Sequence, residues 1–121
     1  MDEARARELL RAERERIERA IAAIERSEPA DPDAVEVTHL DQHLADQGSD
    51  LYDKERDAGH LEELRDQLAA VERAEQRLAD GTYGLSIESG TPIPDARLAV
   101  VPTAERTVEE QAAWERQGGG Y

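Results

Sequence analysis

His39 and His43 stand four residues apart, and Asp46 follows three further on. On a helix this spacing puts two imidazoles and a carboxylate on one face, which is the ligand type and geometry that zinc accepts. In an acidic, exposed segment such side chains are ordinarily solvated, so the sequence predicts no metal there. Asp46 and Asp50, again four apart, have the form of a carboxylate pair for acid–base work, but a solvated helix face lacks the burial that tunes a catalytic proton donor. His60 adjoins Leu61 and reads as the flank of an apolar stripe. The chain has no nucleotide-binding glycine pattern, no nucleophile elbow and no cysteine. The expectation is a protein that is not an enzyme and that carries no cofactor.

The composition restricts what could position such residues. A chain of 121 residues has room for one compact domain, or for a long hairpin with a small head. Apolar residues make up 38%, charged residues 36%, and there is no phenylalanine, a balance that the abundance of Ala, Glu, Arg and Leu tips toward helix. Without cysteine there are no disulfides and no thiolate-bound zinc. A net charge of −14 argues against independent nucleic-acid binding, because a polyanion repels it and releases no counterions. The partner should therefore offer basic surface. The charge is also focused: Asp2 to Arg26 holds seven acidic and seven basic side chains, whereas Ser27 to Asp57 holds ten acidic and two basic. Such a field can steer one end of a protein toward a basic cavity, although a solvated acidic segment would look the same. No apolar run approaches a membrane span, and the N-terminal residues are charged where a signal peptide needs an apolar stretch. The expected location is cytoplasmic.

Leu10, Ile17, Ile21 and Ile24 share one face of a helix predicted over residues 2 to 26. The stretch Ser27 to Gly48 contains Pro29, Pro32 and several aspartates, and is read as the turn. After Ser49, a candidate N-cap, Leu61, Leu64, Leu68, Val71 and Leu78 recur in heptad fashion to about Asp80, and Gly81 supplies a left-handed stop. The two stripes can cover each other in an antiparallel helical hairpin, a coiled-coil rod roughly 40 Å long at about 1.5 Å per residue. This gives residues 1–80 as a hairpin with an acidic tip around 27–50, and a monomer. The alternative is a coiled-coil dimer that uses the same stripes between chains.

From Thr82 the texture changes. Thr82 to Ile87 reads as a short strand, Ser89-Gly90-Thr91-Pro92 as a tight turn, and Pro94 to Leu98 as one helical turn. Thr107-Val108-Glu109-Glu110 matches a capping box that opens a last helix through Trp114. Residues 81–117 form the expected head, and 118–121 a flexible tail.

Asp80-Gly81-Thr82-Tyr83-Gly84, Gly90-Thr91-Pro92-Ile93-Pro94, Arg97-Leu98 and Pro102-Thr103-Ala104 together resemble the C-terminal module of the DksA/TraR family. The resemblance implies a mainly α fold: a long antiparallel hairpin carrying a small zinc-finger-like head. The family's four cysteines would fall at Ser86, Ser89, Thr107 and Glu110, so the head lacks its metal ligands. A structural zinc is worth on the order of 10 kcal/mol to such a module, and apolar contacts are expected to replace it. Tyr83, Leu85, Ile87, Ile93, Leu98, Val100, Val101, Val108 and Trp114 are the residues available for a mini-core.

The same resemblance places His43 and Asp46 at the two positions of the family's tip motif, followed by Gly48 and Asp50. It implies a transcription regulator that binds bacterial RNA polymerase and sends an acidic tip through the secondary channel toward the catalytic magnesium. Family members that respond to ppGpp use basic residues where this chain has Glu63, Ala70, Val101 and Gln111, so no alarmone response of that type is expected. The competing reading is a coiled-coil protein–protein interaction module with no polymerase role. Oligomeric state and polymerase co-purification discriminate the two.

Overall fold

The structure, a computed structural model, describes the backbone of residues 1–27 and 32–119 and the side chains of residues 1–26 and 54–119. It is mainly helical: α1 (Glu3–Ser27), α2 (Pro32–Asp80), α3 (Asp95–Val100) and α4 (Val108–Arg116). No strand occurs among the described residues. None of the helices, over those residues, is long and apolar enough to cross a membrane. The chain divides into two compact units, Met1–Glu15 with Ala69–Tyr121, and Arg16–Leu68.

Asp2 opens α1 by accepting the Arg5 backbone N–H on its carboxylate at 2.7 Å, as an N-cap should. The exposed face is laced with short-range pairs, including Arg7–Glu3 at 2.6 Å and Arg11–Glu15 at 2.5 Å. Helix α2 begins at Pro32, well before the predicted start after Ser49. Pro32 reads as a break in the sequence, but proline suits the first position of a helix, where its fixed φ is already helical and its missing N–H has no intrahelical partner; Pro29 lies outside the described residues. At the other end Gly81 takes φ +80°, Gly81 N–H donates to the Leu78 carbonyl, and Thr82 N–H donates to the Arg77 carbonyl at 2.9 Å. This is a Schellman closure, and it places the glycine where the sequence asked for one.

In the Arg16–Leu68 unit, Ile17 and Leu64 are buried, Arg16 donates to the Gln67 side-chain oxygen at 3.2 Å, and Arg65 lies 3.7 Å from Glu25. In the other unit, Ala6, Leu10, Val71 and Ala74 are buried, and Arg14 holds Glu75 through two hydrogen bonds, the shorter 2.6 Å. Leu10, Ile17, Leu64 and Val71 belong to the predicted stripes. Ala6 and Ala74 do not, and their small side chains permit close helix approach.

Gly59 lies inside α2 on an exposed face, with open space where a Cβ would stand. Glycine there loses more backbone entropy than alanine, so Gly59→Ala is expected to raise stability by about 0.5–1 kcal/mol, read as a higher urea midpoint with an unchanged slope.

Residues 82–87 were expected to form a strand; they supply only an isolated antiparallel bridge, Leu85 to Pro92. Positive φ at Gly84 and Gly90 turns the chain too tightly for a ladder to extend. The head core is also smaller than expected. Ile93, Leu98 and Ala104 are buried, with Met1 and Tyr83 packed against them. Leu85, Ile87, Val100, Val101 and Val108 are exposed, Val100 by 80%, and so lie outside that core.

The C-terminal glycines are a further correction. Gly118 takes φ +79°, Gly118 N–H donates to the Glu115 carbonyl at 3.0 Å, and Gly119 N–H donates to the Trp114 carbonyl at 2.9 Å. Part of the expected tail is thus the Schellman cap of α4. A Cβ on Gly119 would run into the Trp114 ring. Gly119→Ala is therefore expected to destabilise α4 by about 1–3 kcal/mol, seen as an earlier thermal transition in Trp114 fluorescence.

Candidate functional site

His43, Asp46, Gly48 and Asp50 fall within the span of α2, and their side chains lie outside the described residues. The other predicted set, Ser86, Ser89, Thr107 and Glu110, is fully described, and the structure brings its members together. Ser86 is buried, and its Oγ accepts the backbone N–H of Glu88 at 3.1 Å and of Ser89 at 3.2 Å. Ser89 Oγ lies 2.8 Å from Thr91 Oγ1. The predicted capping box is present: Glu110 N–H donates to Thr107 Oγ1 at 3.2 Å, and Thr107 N–H donates to the Glu110 carboxylate at 2.9 Å.

Glu110 is half-buried, and its carboxyl is pushed down to about 2. The Thr107 backbone N–H is the largest cause, followed by the Ser89 and Ser86 side chains as further hydrogen-bond partners. Each of these interactions favours the ionised form. Three hydroxyls and one carboxylate thus stand at the four positions that the resemblance grouped together. They fall in two pairs of equal spacing, Ser86 with Ser89 and Thr107 with Glu110. These are hard oxygen donors already engaged with one another, a set unsuited to the soft-ligand chemistry of a structural zinc.

Around this cluster the head is tied to the end of α2. Glu105 accepts from Arg73 and from Arg77, each at 3.2 Å, and its backbone carbonyl accepts Ile87 N–H at 2.9 Å. Arg77 is largely buried, and its Nε and Nη2 find no hydrogen-bond partner among the described residues. Burial pulls its guanidinium below the ordinary arginine value, against the pull of Glu105 in the other direction. Tyr83 donates its hydroxyl to the Pro102 carbonyl at 2.8 Å, and burial pushes its phenol up. Arg106 stacks over the Trp114 ring at 4.2 Å and pairs with Glu88 at 3.2 Å, while Arg97 Nε donates to the Arg106 carbonyl at 2.9 Å.

No family model matches the chain. The general stress protein 16O of Bacillus subtilis is 44% identical over 73 residues, which span 60% of this chain and 45% of that protein. The RNA polymerase-binding transcription factor DksA of Caulobacter vibrioides is 34% identical over 87 residues, 67% of this chain and 61% of that protein. The matched stretches therefore span less than two thirds of these relatives. Among solved structures, the transcription factor DksA2 of Pseudomonas aeruginosa superposes with a TM-score of 0.69 at 27% identity, covering 96% of this chain and 84% of that one. The fold is thus DksA-like. The chain is a DksA/TraR-like protein.

Proposed function

We propose that this chain is a regulator of transcription that binds bacterial RNA polymerase and acts through the secondary channel, in the cytoplasm and as a monomer. The observation that carries the reading is the match to an RNA polymerase-binding DksA over 87 residues, together with a fold likeness to DksA2 across 96% of the chain. Residues 1–80 serve as an antiparallel hairpin, consistent with the Arg14–Glu75 pair in one unit and the Glu25–Arg65 pair in the other. Residues 81–117 serve as a zinc-finger-like head without zinc.

In this reading His43, Asp46, Gly48 and Asp50 form the tip, and the acidic stretch around them is drawn into a channel with basic walls. Asp46 supplies a carboxylate near the catalytic centre. The protein performs no chemistry of its own, binds no nucleic acid independently and needs no cofactor. Co-purification with core RNA polymerase tests the proposal. Retention of the polymerase by the tagged chain supports it. A stable dimer with no polymerase bound would instead favour an interaction module built on the same helical stripes.

A further inference from the structure

Arg77, in the last turn of α2, is taken largely out of water without a full set of partners. Its Nη1 meets Glu105 at 3.2 Å, while Nε and Nη2 are buried and find no acceptor among the described residues. A guanidinium keeps its charge in any protein setting, so the group that neutralises it in a dry site cannot be spared. Here that group is the Glu105 carboxylate. Its other oxygen takes Arg73 at 3.2 Å, but Arg73 is 56% exposed and can turn to water, whereas the Arg77 and Glu105 side chains are only 14% and 19% exposed. Glu105 also accepts Ile87 N–H on its backbone carbonyl at 2.9 Å. It thus meets α2 with its side chain and the turn after Leu85 with its main chain.

We propose that the Arg77–Glu105 pair is a latch, which holds the Pro102–Thr107 segment on the end of α2 and, on opening, releases that segment and the Ile87 edge together while the rest of the head stays folded. The anchors of the segment show where it lifts. Tyr83 holds the Pro102 carbonyl at one end and Arg97 holds the Arg106 carbonyl at the other, and both are residues of the head itself. Between those two points the segment is joined to α2 by the arginines on Glu105. With Glu105 drawn away, Arg77 has no second acceptor and must reach water, so the segment has to give way. The Ile87 bond breaks with it, because it ends on the same residue. Ala104, next in sequence, is buried in the apolar cluster and comes away too, which is what ordinarily keeps the latch shut.

Amide hydrogen exchange on the full chain reads the latch, because it resolves which bonds open together. Glu105→Gln keeps the shape and the backbone carbonyl and removes the charge. It is expected to speed exchange at Ile87 and Ala104 by about tenfold or more, as for a buried charge left without its partner. Ser86, whose N–H goes to the Thr91 carbonyl, and Gln111, whose N–H goes to the Thr107 carbonyl, should stay within about twofold of the wild type, since neither bond ends on Glu105. Arg73→Met, at the exposed member, should change Ile87 by no more than about threefold. Arg77→Met combined with Glu105→Met leaves no buried charge unpaired and is expected to return Ile87 to within about threefold of the wild type. Uniform acceleration across the head in Glu105→Gln, an Ile87 amide that does not respond, an Arg73→Met effect as large as that of Glu105→Gln, or a double variant as open as the single one would each overturn the latch. The measurements are made without RNA polymerase, so their outcome is independent of the function proposed above.

Discussion

Asp46→Asn is expected to abolish most of the effect of this protein on transcription in vitro while leaving its binding to RNA polymerase within a few-fold. The substitution is near-isosteric and removes one charge from a segment with ten acidic side chains between Ser27 and Asp57. Folding stability should move by no more than about 0.5 kcal/mol, because the side chain keeps its shape and loses only its charge. If the tip works by placing a carboxylate at the catalytic centre, the lost charge matters there and nowhere else. Contact area from the helices and head would hold affinity nearly constant. The comparison therefore pairs a promoter-specific transcription assay with a binding titration. An Asp46→Asn variant that regulates like the wild type removes the tip mechanism, and a wild type that fails to bind polymerase removes the whole functional proposal.

The largest expected effect on stability belongs to Leu98. It is fully buried beside Ile93 and Ala104, with Met1 and Tyr83 over them. Leu98→Ala deletes buried methyl groups and leaves a cavity, a loss of about 2–5 kcal/mol, in a head with few other apolar contacts to absorb it. Trp114 is the only tryptophan and sits in α4, so its fluorescence reports on the head, while far-ultraviolet dichroism is dominated by α1 and α2. In the variant the fluorescence transition should fall well below the dichroism transition. Val100→Ala, at a side chain 80% exposed, should leave both within about 0.5 kcal/mol of the wild type. Equal losses in the two variants would mean that the head core includes Val100.

The contrast between those two residues shows where sequence reading succeeds and where it stops. Leu10, Ile17, Leu64 and Val71 were legible because a helix repeats, and a heptad stripe names its buried members without knowledge of the partner. The Thr107–Glu110 box and Gly81 were legible for the same reason: a cap is a local pattern. Val100 and Val101 were misassigned because α3, which they close, is only six residues long and has no period to read, and Val108 because it opens α4 as that helix's first residue. Which residues of α3 face inward is decided by the turn at Pro102 to Arg106, where Tyr83, Arg97 and Glu105 make their long-range bonds. Ala6 and Ala74 escaped notice because alanine adds little to a hydrophobic pattern. The bonds of Glu105 to Arg77 and Ile87 join residues far apart in the chain, and no local rule predicts them. Of the candidate site, the resemblance named the head positions, and the hydrogen bonds their side chains now make came only from the fold.

The division into units also constrains the order in which the protein can be made. Ala6 and Leu10 belong to a unit whose remainder begins at Ala69, with all of Arg16–Leu68 in between. Met1, packed on the head cluster, must wait for Leu98 and Ala104. On the ribosome the first turns of α1 therefore emerge long before the residues of their own unit that begin at Ala69. Helix α1 spends that interval as an amphipathic segment with its apolar stripe uncovered, supported chiefly by the Glu–Arg pairs along its exposed face. The ladder of charges on α1 is made of residues three and four apart, so it needs no partner from the C-terminal half and is available to the segment as soon as it is made.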